Sequence, residues 1–250
     1  MSIEQIVQIV QNDNLFNICN KNVKNMPSDE VYKSFNDFIF SSDIKILGKL
    51  LHRFDFFNKV KHIPGDIVEI GVFKGSGIAT FSKFIEIYCS NSNKKIIGFD
   101  IFSSNSETIL NIDGEYDKQK MNIVYSKTDK EDLTIERVEN RLNDMKIDKK
   151  YCLIKGDVCE TLPNFLNENK GFRVSLLYID VDIERPTYIS LKYLWDRLLP
   201  GGIIVFDEYE YHQFSESVGV EKFLKEFNLE YDLISTNFMA PTAYMIKKKL

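Results

Sequence analysis

The sequence predicts an α/β fold built on a mostly parallel sheet, and three observations carry that prediction. Five short apolar runs, DIVEIG (66–71), KKIIGFD (94–100), YCLIKGD (151–157), VSLLYID (174–180) and GGIIVFD (201–207), alternate with segments of helical periodicity. Each run is apolar enough to be covered on both faces, as strands of a parallel sheet are. Two further runs, LEYDLIST (229–236) and TAYMIKKK (242–249), lie close together and read as an antiparallel hairpin that ends the sheet.

The elements follow in order. Residues 1–62 read as a helical appendage or lid and 63–250 as the main domain. Within the appendage Met26-Pro27-Ser28 is a break, and Ser42 is placed to cap the helix that follows. In that helix Ile44, Leu47, Leu50, Leu51, Phe54 and Phe57 recur at helical spacing. Their face must bury against the main domain or a second copy of the chain, so a homodimer through these helices is one expectation. Between the strands, helices are predicted at 76–88, 133–145, over ETLPNFLNE, at 186–198 and at 217–227. The polar stretch 103–120 reads as a long insertion, either a functional lid or disordered.

Composition narrows the function classes. Of 250 residues, 44% are hydrophobic and 28% charged, with a net charge of −5. That balance gives no general attraction to nucleic acid or to an anionic membrane. The basic run Lys247-Lys248-Lys249 reads as a solvated end. Cys19, Cys89, Cys152 and Cys159 show no CxxC spacing, which suits a reducing compartment rather than a zinc site or disulfides. No signal peptide and no membrane span are visible, so a cytoplasmic location is expected.

In open α/β sheets, ligands bind at the carboxyl ends of the strands. Each of the five parallel runs ends in acid: Glu69, Asp100, Asp157, Asp180 with Asp182, and Asp207 with Glu208. Such an edge repels phosphates and attracts cations or hydroxyl-rich ligands. The first turn, from Glu69 to Gly77, orders its glycines as GxxxGxG, not the GxGxxG of nicotinamide enzymes. Glu69 would also oppose a pyrophosphate, which disfavours a nicotinamide oxidoreductase.

Five parallel strands closed by a hairpin resemble the Rossmann-like class I S-adenosylmethionine-dependent methyltransferases, with a seven-stranded sheet. The first turn is similar to their [DE]xGxxxG turn, where the acid and nearby backbone hold the amino-acid end of S-adenosylmethionine. This resemblance implies cofactor contacts from Glu69, Gly71, Val72, Phe73, Gly75 and Ser76. Asp100 is placed to accept hydrogen bonds from both hydroxyls of a ribose. Gly156-Asp157, with Val158 beside them, resemble the pair that meets the adenine amino group, although Asp157 equally suits a helix N-cap.

Asp180 and Asp182 are two apart, so in extended chain they point to the same side, and Asp207 and Glu208 close the next strand in sequence order. Carboxylates gathered in a crevice repel unless protonated or bridged by a cation. Oxygen-only ligands favour Mg²⁺ or Ca²⁺ over zinc. Glu184 reads as belonging to the helix that follows.

The segments YIDVDIERPTY, LLPGGIIVFDEYEYHQF and VGVEKFLKEF are similar to the macrocin O-methyltransferase family, whose members methylate sugar hydroxyls of macrolide and aminocoumarin antibiotics. The likeness spans about residues 64–227. It implies S-adenosylmethionine and Mg²⁺ as cofactors, with Asp180, Asp207 and Glu208 holding the metal and Asp180 also bordering the cofactor. It further implies Asp182 as general base, with His212 the second candidate, and a small hydroxyl acceptor, sugar-containing, as substrate. Two departures matter: Glu208 stands where the family has a second Asp, and Ile183-Glu184-Arg185-Pro186-Thr187 replaces the usual xYxST. A catechol or other small phenol is the alternative acceptor, and a non-catalytic S-adenosylmethionine-binding protein the distant one.

Overall fold

The computed structural model describes residues 29–103, 112, 114–146 and 149–248. The expectations for residues 1–28, Cys19 and most of 103–113 lie outside these residues. The chain divides into two compact units, Met1–Ile44 and Lys45–Leu250. In the first, α1 (Asp29–Ile39) carries Val31, Tyr32, Phe35 and Ile39 exposed.

The second unit, from Lys45, carries α2 (Ile44–Val60) after its first residue. The buried residues of α2 are Arg53, Phe56, Phe57 and Val60; of the face expected from sequence, Phe57 is buried and Leu47 and Phe54 are half-buried. Ile44, Leu50 and Leu51 are exposed instead. Lys49 and Arg53, one turn apart, continue the buried side of Phe57 and meet acids of the sheet, Asp180, Asp207 and Glu69.

From there strands and helices alternate: β1 (Asp66–Ile70), α3 (Ser76–Cys89), β2 (Ile96–Asp100), α4 (Glu115–Ser126), a 3₁₀ turn (Glu131–Leu133) and α5 (Ile135–Asp144). Then come β3 (Tyr151–Lys155), α6 (Val158–Glu168), β4 (Val174–Ile179), α7 (Glu184–Leu194), β5 (Leu198–Phe206), α8 (Glu216–Glu226), β6 (Ile234–Ser235) and β7 (Ala243–Ile246). The seven-stranded sheet has the order β3-β2-β1-β4-β5-β7-β6. β1 to β5 pair in parallel, and β7 runs antiparallel to both β5 and β6. This is the predicted fold class. The first hairpin strand is shorter than the run 229–236, because Leu229, Tyr231 and Leu233 pack against the core as an irregular segment.

The region 103–120 is not wholly loop: from Glu115 it is helix. Its apolar stripe is too short and too interrupted by charge for periodicity to find, with Met121 its one buried residue. Two acids in the first turn, Glu115 and Asp117, suit the positive end of the helix dipole.

Strand parity decides which side each side chain serves. Val68, Ile70, Leu177, Ile179, Ile204 and Phe206 face the core shared with α6, α7 and α8. Ile67, Leu176, Tyr178, Ile203 and Val205 face the other core, with Phe56, Phe57 and Val60 of α2 and Ile78, Phe81 and Ile85 of α3. By the same alternation Glu69, Asp180 and Asp207 belong to the α2 side. The ladder reaches the acids themselves: Asp180 N–H donates to the Ile70 carbonyl at 2.8 Å and Asp207 N–H to the Ile179 carbonyl at 3.0 Å.

Candidate functional site

The sheet order reverses between β2-β1 and β4-β5, and the crevice of an α/β sheet opens at such a point. A pocket of about 1780 Å³ lies there, at the carboxyl ends of the strands. Its wall includes Glu69, Gly71, Val72, Phe73, Gly75, Ser76, Asp100, Gly156, Asp157 and Val158, and also Asp180, Asp182, Asp207 and Glu208. His212 is not in that wall. It is exposed, and its contact is a backbone one, the carbonyl accepting from the Tyr116 hydroxyl at 3.4 Å.

The first turn is held from two sides. Asp100 Oδ2 accepts from the backbone N–H of Val72 at 2.8 Å and of Phe73 at 2.9 Å, while Oδ1 accepts from Phe102 N–H at 2.7 Å. Burial pushes its carboxyl up, and these amides oppose that shift. A carboxylate offers about four lone-pair sites, so Asp100 fixes the turn and keeps acceptor capacity for a ribose. Gly71, at φ +90°, lets β1 pass so close to β4 that an added Cβ would lie 1.8 Å from the Asp180 carbonyl. Gly77 leaves room for an acid: a Cβ there would lie 1.7 Å from Glu69 Oε1.

Glu69 is fully enclosed. Oε1 accepts from Arg53 at 3.3 Å, whereas Oε2 is buried without a hydrogen-bond partner. Burial pushes its carboxyl up to about 8 despite Arg53. Asp157 caps α6, accepting from Cys159 N–H at 2.8 Å while lining the pocket, so both readings of it remain geometrically open.

The acids of β4 and β5 converge. One carboxylate oxygen each from Asp180, Asp207 and Glu208 lie within 4.8 Å of one another. Glu208 Oε2 is buried with no hydrogen-bond partner, and burial with Asp207 and Asp180 pushes that carboxyl up to about 12. An all-oxygen set with an orphaned buried oxygen fits a hard divalent cation. The longer Glu208 arm therefore does reach the cluster. Asp182 sits beside it at φ +66°, a left-handed conformation that costs an aspartate energy and recurs at working sites. Burial, then Asp180 and Asp207, push its carboxyl up to about 7.

Several residues here were not anticipated. Lys49 Nζ lies 2.8 Å from Asp180 Oδ2 and 2.8 Å from Asp207 Oδ2. Burial alone would lower its ammonium, but the two carboxylates overturn that and hold it protonated. Tyr178 donates its hydroxyl to Asp207 Oδ1 at 2.6 Å, with the Arg53 guanidinium 5.2 Å above its ring. Glu216 accepts from Glu208 N–H at 3.0 Å. From α4, Asp117, Met121, Val124 and Tyr125 form one wall of the pocket. The Tyr125 phenol is pushed up by burial and by Asp100 and Asp182, so it faces both the ribose acid and the candidate base. A signal for Lys49 and Arg53 existed, since they continue the Phe56/Phe57/Val60 stripe toward the helix start at i−4 spacing.

Macrocin-O-methyltransferase (TylF) sequences match residues 53–244. The chain belongs to the macrocin-O-methyltransferase (TylF) family. It is an S-adenosylmethionine-dependent O-methyltransferase. No curated protein matches it in sequence. Among solved structures it is similar to the O-methyltransferase NovP, with TM-score 0.66 and 17% identity over 80% of this chain and 79% of that one. It is also similar to the calicheamicin methyltransferase CalS11, with TM-score 0.63 and 21% identity over 98% and 93%. The apo form of CalS11, described as a TDP-rhamnose 3'-O-methyltransferase, gives TM-score 0.62 and 23% identity over 98% and 95%. At these identities the likeness speaks for the fold.

Proposed function

We propose that this methyltransferase transfers the methyl group of S-adenosylmethionine to a hydroxyl of a sugar or sugar-bearing metabolite, with Asp182 as general base beside a divalent-ion site. The observation that carries the reading is Asp182 itself, held in a left-handed turn against Asp180, Asp207 and Glu208 in the pocket that Glu69 and Asp100 enter from the other side. The family and the CalS11 likeness favour a sugar acceptor. No helix among the described residues is long and apolar enough to cross a membrane.

The roles follow from the geometry. Glu69 Oε2, buried and unpartnered, is placed to accept from the cofactor's ammonium, and Asp100 to accept from its ribose. Asp180, Asp207 and Glu208 would hold the divalent ion, which when bound acidifies a nearby hydroxyl and orients it. Asp182 takes the hydroxyl proton, the oxygen forms a bond to the methyl carbon, and the methyl–sulfur bond breaks. The products are the methyl ether and S-adenosylhomocysteine. Because the sulfonium methyl is already activated, alignment supplies much of the acceleration. Ile183, Arg185 and Pro186, where the sequence leaves the family pattern, line the pocket with Tyr211 and Phe214 and would choose the acceptor.

The test is methyl transfer from labelled S-adenosylmethionine to a panel of nucleotide sugars, glycosylated metabolites and catechols, with and without Mg²⁺ after chelation. Transfer to a sugar hydroxyl that is lost on chelation and restored by Mg²⁺ supports the reading. Transfer to catechols alone, or transfer indifferent to chelation, sinks the acceptor or the metal assignment respectively.

A further inference from the structure

Lys49 occupies an unusual place for a lysine. Its ammonium bridges two carboxylates from adjacent strands at 2.8 Å each, and one of them, Asp207, is buried. These are two of the three acids whose oxygens converge, and the third, Glu208, is left with a buried oxygen that nothing contacts by hydrogen bond. The ammonium hydrogen-bonds to Asp180 and Asp207, so one cation satisfies two acids where the cluster offers three. A hard divalent ion takes carboxylate oxygens at roughly 2.0–2.6 Å. An ion shared by Asp180 and Asp207 therefore needs the space the ammonium fills, and two cations on one oxygen pair would repel strongly.

We propose that Lys49 is a tethered cation that competes with the divalent ion for Asp180 and Asp207, and that ion binding displaces its side chain from the cluster. This rests on the reading of the cluster as a divalent-ion site. The arrangement explains why the acids can converge and the unit can fold before an ion arrives. Lys49 stands in the second turn of α2, with Gly48 before it, whereas the acids stand at the ends of β4 and β5, so its side chain can leave them without a change in strand pairing. A flexible four-carbon stem is suited to that exchange, whereas a planar arginine fork at the same place would be held more tightly. Arg53, one turn on and buried against Glu69, is the contrasting case of a cation that stays.

The experiment measures ion affinity rather than turnover. Mn²⁺ is titrated calorimetrically into the wild type and Lys49→Met, each with S-adenosylhomocysteine present. Removing the competitor should tighten Mn²⁺ by about 10-fold or more, which is ~1.4 kcal/mol. Thermal unfolding gives an independent reading: Lys49→Met should melt lower than wild type in chelator and gain more from Mn²⁺. Because the variant can fail to fold in chelator, wild-type protein is also labelled at its amines and read by peptide mass spectrometry. Lys49 should be protected in chelator and become reactive on adding Mn²⁺. Equal affinity in both proteins, with Lys49 still protected in Mn²⁺, overturns the displacement and leaves the metal site standing. Mn²⁺ binding to neither protein overturns the displacement together with the metal assignment, and makes Lys49 the cluster's permanent cation.

Discussion

The Ser215 hydroxyl lies 2.7 Å and 2.8 Å from the two carboxylate oxygens of Asp117, a residue 98 positions earlier on the helix α4. Ser215 also accepts from Glu184 N–H at 2.8 Å, and its own N–H donates to the Asp182 carbonyl at 3.0 Å. One serine thus ties three things: the α4 wall of the pocket, the start of α7 and the strained turn that carries the candidate base. Asp117→Ala should free α4 from that turn. We expect about 1–3 kcal/mol lower stability, the range for losing a charge-assisted hydrogen bond. S-adenosylhomocysteine should dissociate several-fold faster in stopped flow. Asp117→Asn keeps an acceptor oxygen and should lie between the two. Unchanged dissociation in Asp117→Ala would show that the contact does not govern the pocket.

Asp182 gives the second prediction. Asp182→Asn keeps the shape and removes the base, so kcat should fall by about 10²–10⁴-fold, the usual contribution of general base catalysis. Binding of S-adenosylhomocysteine should change little, since Asp182 is not among the cofactor contacts, which lie at the ends of β1, β2 and β3 and at Asp180. The carboxyl is raised by burial and by Asp180 and Asp207 to about 7, and the base works only when ionised. A bound divalent ion adds positive charge nearby and lowers that value, so in saturating Mg²⁺ activity should rise with pH through a midpoint below 7 and fall tenfold per unit beneath it. A profile with no acid limb in the wild type down to pH 4.5, where the fold is still intact by circular dichroism, would remove Asp182 from the role.

Why strand ends were legible and the rest was not is a matter of range. DIVEIG and VSLLYID announce themselves because burial on both faces needs continuous apolar residues, and the acid that ends each run is adjacent in sequence. Asp180, Asp182, Asp207 and Glu208 were readable for the same reason. Lys49 and Arg53 are harder to read, because a helix read by its apolar residues points Leu50 and Leu51 inward, and their i−4 spacing from Phe57 gains meaning only beside the distant acids. The helix α4 was hidden by charges that solvate its outer face, and the Asp117–Ser215 contact has no local trace at all. His212 is suggested by its neighbours in sequence alone; in the fold it is exposed and lies outside the pocket wall.

The glycine at 77 supplies a third prediction. It lies inside α3, where conformation alone does not ask for glycine, yet a Cβ would press within 1.7 Å of Glu69 Oε1. Gly77→Ala should cost about 1–3 kcal/mol as an overpacked site. It should weaken S-adenosylhomocysteine binding in calorimetry by displacing Glu69. Pairing it with Glu69→Gln or Glu69→Ala separates the causes: the smaller Ala at 69 should relieve Gly77→Ala in melting temperature, whereas Gln should not. If Gly77→Ala melts and binds as wild type does, the close packing of Glu69 on α3 is not a constraint.

Lys94, far from the pocket, predicts how stability depends on pH. It is buried, and its ammonium donates to the Ile63 carbonyl at 3.0 Å, to Ser175 Oγ at 2.7 Å and to the Gly65 carbonyl. Burial lowers it to about 8, with Asp66 opposing. Between about pH 8 and the ordinary lysine value near 10.4, the unfolded chain holds this proton and the folded one does not. Stability must then rise with pH across that window, and the full penalty of about 3 kcal/mol applies below it. Urea unfolding at pH 7.5, 8.5 and 9.5 reads the effect as the difference in slope between wild type and Lys94→Met. The variant loses the proton linkage and should show the shallower rise, even though it also strands the Ile63 carbonyl, takes one of two donors from the Gly65 carbonyl and loses absolute stability. Parallel slopes in the two proteins would mean that Lys94 keeps its charge in the fold, held by those two carbonyls and Ser175.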